Sequence, residues 1–206
     1  SEFDLHVNVP NKKKLIIKKI KIPLLGIHNI RNSVAAAAVA LTVGISIFDI
    51  KKGLLNFKGV QRRFNKIFTY NNIDFYDDYA HHPTEIKSIL DGVSNVYKKR
   101  KIISIFEPHR YSRVLSLKKE FAKSFTKSNL VLLCPIYAAG EKRDSRFNTL
   151  EFAKLISKFS KTQVVLIKKY NEIEKFLQKN LIDNEIIIGM GAGSISKYLR
   201  GLKKIL

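Results

Sequence analysis

At 206 residues, with 45% of them hydrophobic, the chain is long enough to bury one good core and a smaller second unit. The formal net charge of +21 raises the question of nucleic acid, but the lysines are scattered, mostly at predicted element ends, and no RNA-binding, zinc-finger or helix-turn-helix signature accompanies them. The single cysteine, Cys134, excludes a disulfide within the chain and suits a reducing, cytoplasmic setting, while no apolar run is long enough to span a bilayer and Ser1-Glu2-Phe3-Asp4 does not open a signal peptide.

In chain order, residues 3–9 alternate weakly and meet Pro10-Asn11, a turn signal. A second extended run follows over 15–25, so the two predict a hairpin. After Gly26 an alanine-rich helix runs to Leu41 and is ended by Gly44. Asn29 and Asn32 share a face at its start. A shorter helix over 48–57 leads to Gly59-Val60-Gln61-Arg62-Arg63-Phe64, where a domain boundary divides residues 1–62 from 63–206.

Beyond it, apolar runs at 73–76, 102–106, 130–133, 164–167 and 186–188 alternate with helical patterns, including 117–125, 150–159 and 173–177. Such alternation predicts an α/β fold with a parallel sheet and helices on both faces. Pro83 suits a first helical position, and Ile86, Ile89, Leu90, Val93, Val96 and Tyr97 recur behind it at helical spacing.

Four polar clusters each follow a predicted strand directly: 77–85, 107–113, 137–141 and 189–194. In an open parallel sheet ligands bind beyond the carboxyl ends of the strands, so the four belong to one edge. The first cluster packs Asp77, Asp78, Tyr79, His81 and His82 before a helix start, a place suited to an anion or a ribose. Arg110 and Arg113, three apart near another helix start, suit a two-pronged clamp for a carboxylate or phosphate. The competing reading pairs one of them with Glu107 or Glu120. The glycine turn at 189–194 serves either close packing or an anion. His81, His82 and His109 with Asp77 and Asp78 are weighed as metal ligands, but adjacent residues rarely reach one ion and no second spaced set supports them, so no metal site is assigned. No G-x-S-x-G elbow supports a serine hydrolase.

The runs His28-Asn29-Ile30-Arg31-Asn32, Gly59-Val60-Gln61-Arg62-Arg63-Phe64, Asp77-Asp78-Tyr79-Ala80-His81-His82-Pro83-Thr84-Glu85, Glu107-Pro108-His109-Arg110-Tyr111-Ser112-Arg113, Tyr137-Ala138-Ala139-Gly140-Glu141 and Gly191-Ala192-Gly193-Ser194 together resemble the Mur ligases. The resemblance is nearest to the branch that joins L-alanine to UDP-N-acetylmuramate. It implies the end of a central ATP-binding α/β domain over 1–62, then a Rossmann-like C-terminal domain over 63–206. It implies ATP-driven amide formation through an acyl phosphate, with Mg2+ held by residues upstream. By the same resemblance, Asn29, Asn32, Arg63 and Asp78 bind the nucleotide. Tyr79, His81, Arg110, Arg113 and Ser194 bind substrate, with His81 and Arg110 at the reacting centre. Departures from the family pattern are Ala80 for a usual glycine, Glu107 for a usual glutamine and Pro135 for a usual aspartate. No G-x-x-x-x-G-K-[ST] loop is present, so the expectation is a C-terminal part that is inactive alone. The ranked alternatives are a muropeptide-recycling ligase, acting on the same sugar nucleotide with a tripeptide, and a non-catalytic nucleotide- or nucleic-acid-binding module. Specific nucleic-acid binding and membrane insertion are not expected.

Overall fold

The computed structural model describes residues 1–8 and 14–204, which form two compact units, Ser1–Val60 and Gln61–Leu206. In the first, strands β1 (Glu2–Val7) and β2 (Leu15–Lys21) pair antiparallel, as the alternation predicts. The expected Pro10-Asn11 turn lies outside the described residues. Helix α1 (Ile27–Thr42) carries the alanine run, and α2 (Ile47–Asn56) begins at Ser46, whose hydroxyl accepts from the Asp49 amide at 3.1 Å.

The second unit is built on a six-stranded sheet. Its elements, in chain order, are β3 (Asn65–Tyr70), β4 (Ile73–Asp78), α3 (Pro83–Val96), β5 (Lys101–Phe106), α4 (Tyr111–Ser116), α5 (Lys118–Ala122), β6 (Leu130–Leu133), α6 (Thr149–Ser160), β7 (Gln163–Leu166), α7 (Asn171–Asn180), β8 (Glu185–Met190) and α8 (Ile195–Leu202). The strand order is β3-β4-β8-β5-β6-β7, parallel throughout except for the antiparallel edge strand β3. The chain passes from β4 to β5, runs outward to β7, and returns to fill the gap with β8.

All five expected strands form. The expectation missed β3, although its signal is present: Asn71 and Asn72 both take positive φ, 46° and 61°, as a tight hairpin turn requires. The helix expected over 117–125 is shorter, α5, and Leu117 at φ −116° and ψ 27° separates it from α4, which precedes the expected range. The His109–Arg113 run therefore opens a helix of its own.

Alternation along each strand divides the core between the two faces of the sheet. On β8, Ile186, Ile188 and Met190 join Ile86, Leu90 and Val93 of α3 and Phe152 and Ile156 of α6. Ile187 faces the other way, toward Ile173 and Leu177 of α7 and Ile195 and Leu199 of α8. Gly189 lies under α8, where a β-carbon would come 1.8 Å from Leu199 Cδ1. Only glycine lets that helix approach so closely. At the opposite edge, Arg100 ties the amino ends of the strands together, pairing with Asp74 and donating to the carbonyls of Asn72 at 2.9 Å and Glu185 at 2.6 Å. Among the described residues no helix is long and apolar enough to cross a membrane.

Candidate functional site

Strand register sets the level of the site. Asp78, Met190, Phe106, Leu133 and Leu166 are paired in one row across β4, β8, β5, β6 and β7. The next residues, Tyr79, Gly191, Glu107, Cys134 and Ile167, leave the sheet from a single line. Backbone hydrogen bonds continue the row, from Glu107 N to Met190 O and from Cys134 N to Phe106 O, both 2.9 Å. The polar clusters thus share one carboxyl edge, the placement expected of ligand-binding residues in such sheets.

Asp77 and Asp78 are both fully buried. The Asp77 carboxylate accepts from Ser196 Oγ at 2.6 Å and Arg200 at 2.9 Å, so it fastens α8 to β4. Asp78 accepts from the amides of Phe64 and Ala80, both at 2.7 Å. Burial raises its pKa to about 6, against the pull of those two amides and of Arg63. Asp78 has no exposed surface, and the two amides on its two oxygens tie the turn around the site together. Arg63 is exposed and pairs with Glu85 at 3.6 Å. In the first unit, Asn29 and Asn32 lie in the first turns of α1, with Asn29 Nδ2 donating to Leu25 O at 2.7 Å.

His82 caps α3 and Pro83 opens it. The carboxylate of Glu85 accepts from the amides of His81 at 3.0 Å and His82 at 3.2 Å, a reciprocal capping box that fixes the turn. His81 Nδ1 lies 2.8 Å from Tyr79 O. From there a row of rings crosses three strand ends. His81 meets Tyr79 edge-on at 5.0 Å and His109 edge-on at 5.6 Å, and His109 stacks on Tyr137 at 5.6 Å. Burial, the Arg113 charge and His81 push the His109 pKa down, favouring neutral imidazole.

The two arginines of the expected clamp have separate partners. Arg113 donates to the carbonyl of His109 at 3.0 Å and lies 3.1 Å from its Nδ1, so it braces that ring. Arg110 is exposed and pairs with Glu141 through Nε at 3.4 Å. Neither uses Glu107 or Glu120.

Glu107 has a different place. Its fully buried carboxylate accepts from Ser194 Oγ at 2.8 Å, from the Ser194 amide at 3.2 Å, from the Ile195 amide at 3.4 Å and from Tyr170 Oη. The glycine turn does offer its amides to an anion, and the anion is the protein's own. A β-carbon at Gly193 would lie 2.4 Å from both Glu107 Oε1 and Tyr137 Cγ, so the turn is clasped between the carboxylate and the ring. Ser194, expected at the substrate, is engaged in this clasp. Sequence reasoning missed Tyr170, which follows β7 as the other clusters follow their strands. It also missed Arg62, which donates to Gly191 O at 2.5 Å, lies 4.7 Å over the Tyr79 ring and faces Asp77 at 3.8 Å.

Residues 62–193 match the family model described as Mur ligase, glutamate ligase domain. The chain is 55% identical over 206 residues to a UDP-N-acetylmuramate–L-alanine ligase of Pelagibacter ubique (strain HTCC1062), an alignment that covers 100% of this chain and 44% of that relative. It is 40% identical over 217 residues to a ligase of the same name from Rickettsia canadensis (strain McKiel), covering 99% and 44% respectively. The crystal structure of the UDP-N-acetylmuramate-alanine ligase of Thermotoga maritima is similar with a TM-score of 0.75 at 28% identity, covering 99% of this chain and 43% of that one. The chain spans less than half the length of these relatives.

Proposed function

The chain belongs to the Mur ligase family, and from that premise we propose that it forms the acceptor-binding part of an ATP-dependent ligase joining L-alanine to UDP-N-acetylmuramate. In this reading, ATP phosphorylates the muramate carboxylate and the amine of L-alanine attacks the acyl phosphate. The bond from carbon to phosphate oxygen breaks, phosphate departs, and the amine gives up a proton as the amide forms.

The observation that carries the reading is the contact of the His81 and His109 rings, with Arg110 next in the chain at the start of α4, at the carboxyl edge of β4 and β5, on a chain 55% identical to a ligase of that name. Arg110 is assigned to the carboxylate of the incoming amino acid, since a planar guanidinium suits two-point recognition of a carboxylate. His81, in ring contact with Tyr79 and His109, is assigned to meet the reacting amine, and Tyr79 to the substrate beside it. Arg113 acts through His109, whose ring it holds. Asn29, Asn32, Arg63 and Asp78 remain assigned to the nucleotide, Asp78 through the turn that it ties. The family's magnesium is a different matter. Among the described residues no group of three or more His, Cys, Asp or Glu side chains is placed to hold a metal ion.

The test uses the full-length ligase with Arg110→Ala, comparing L-alanine with alaninamide as acceptor. Loss of a charge-assisted contact costs on the order of 1.5–3 kcal/mol, about tenfold or more in kcat/KM for L-alanine. Alaninamide lacks the carboxylate, so its use changes little. ATP-dependent phosphorylation of the sugar nucleotide survives. Equal losses with both acceptors would overturn the assignment.

A further inference from the structure

The loop after β6 turns back on itself. Ala139 and Gly140 both take left-handed φ, 51° and 85°, and the Glu141 amide donates to Ala138 O at 3.0 Å. This tight return aims the Glu141 side chain at the neighbouring loop, the one that follows β5. The two loops are already joined through the backbone, with Tyr137 N donating to Pro108 O at 2.8 Å. Glu141 adds a side-chain link. Its Oε2 accepts from the Ser112 amide at 3.0 Å and its Oε1 from Ser112 Oγ at 2.5 Å. Those hydrogen bonds, with Arg110 nearby, hold its carboxyl below the usual glutamate range. The carboxylate is therefore anchored on α4 before it meets Arg110.

From that anchored position Glu141 Oε1 approaches Arg110 Nε at 3.4 Å. Among the described residues no hydrogen bond uses the terminal nitrogens of Arg110, and its side chain is 49% exposed. An arginine held by Nε alone keeps its outer fork for a ligand. A long, half-exposed arginine otherwise samples many rotamers, which binding must freeze.

We propose that Glu141 is a positioning residue for Arg110: anchored on Ser112, it holds the guanidinium by Nε and leaves the terminal nitrogens to the carboxylate of an amino-acid acceptor. This rests on the reading of Arg110 given above. The negative charge of Glu141 also repels that carboxylate. At so exposed a site the repulsion is screened, and the ordering of Arg110 is the larger effect. Glu141→Ala then raises the KM for L-alanine, and Glu141→Gln restores part of the loss, because its one amide oxygen still accepts from Ser112 while the ion pair with Arg110 is gone.

The experiment is a double-mutant cycle in the full-length ligase. Glu141→Ala alone is expected to raise the KM for L-alanine threefold to tenfold, with kcat and the KM for ATP unchanged within twofold. In the Arg110→Ala background the same change is expected to add nothing further. An unchanged or lowered KM in the single variant, or the same increase in both backgrounds, overturns the positioning role. If Arg110→Ala itself leaves the use of L-alanine intact, the reading of Arg110 fails instead, so the two failures are distinct. A solution readout independent of turnover is the Arg110 Nε–H resonance in the 206-residue chain. Its chemical shift is expected to differ between the native chain and Glu141→Ala, and an identical shift in the two counts against the contact.

Discussion

Asp78 holds its charge where burial opposes it. Its two backbone donors favour the carboxylate, yet burial wins and raises the pKa from 3.8 to about 6. The folded chain therefore binds this proton more tightly than the unfolded chain. Between about pH 4 and pH 6 the folded state carries more of the proton, so this residue makes stability fall as pH rises, and the fall levels off above the folded pKa. The full span is on the order of 3 kcal/mol. Asp78→Asn removes the titration, at the cost of turning an amide NH2 toward a backbone N–H. Other groups titrate nearby: the depressed His109 adds stability as pH rises through the histidine range. The informative quantity is therefore the difference in melting temperature between native and Asp78→Asn chains from pH 4 to pH 7. It is expected to change by several degrees in favour of the variant as pH rises. A difference that stays constant over that range would show that Asp78 does not titrate there.

At the scale of elements, the packing of α8 on β8 depends on an absent side chain. Gly189→Ala places a methyl 1.8 Å from Leu199 Cδ1, and Leu199 is itself buried. Overpacking of this kind costs about 1–3 kcal/mol. Leu199→Ala alone leaves a cavity, at about 2–5 kcal/mol. Together they fill each other's fault, so urea unfolding of the double variant is expected to show less destabilisation than the two losses added. Strict additivity would mean that helix and strand separate rather than repack. The same helix carries Ser196 and Arg200 to Asp77 and the Ser194 and Ile195 amides to Glu107, so a shift of α8 reaches the site.

At the scale of the molecule, the chain gathers its polar clusters on one sheet edge and contains no phosphate loop of the G-x-x-x-x-G-K-[ST] kind. Phosphoryl transfer needs a cradle for the γ-phosphate and its metal. The 206-residue chain incubated with ATP, magnesium, L-alanine and UDP-N-acetylmuramate is therefore expected to form no ATP-dependent product above a blank. Product from the pure chain would place the whole reaction within these residues.

Sequence alone determined the strands at 73–76, 102–106, 130–133, 164–167 and 186–188, because hydrophobic runs of that length between polar turns have few other uses in a chain of this composition. It also determined that the clusters after them share an edge, since parallel strands present their carboxyl ends together. The Asn71-Asn72 turn was legible too and would have revealed β3. What sequence could not supply was the partner of each side chain. Arg110 and Arg113, three apart, read as one clamp, but the β6 loop brings Glu141 to one of them while His109 holds the other. Glu107 read as a substitution in a ligand motif, yet the fold seats it on the amides of Ser194 and Ile195. Those pairings join residues as much as 88 apart in sequence. Hydrophobic periodicity is a local property and survives in the sequence, whereas the satisfaction of a buried charge depends on whichever strand end the sheet order puts beside it.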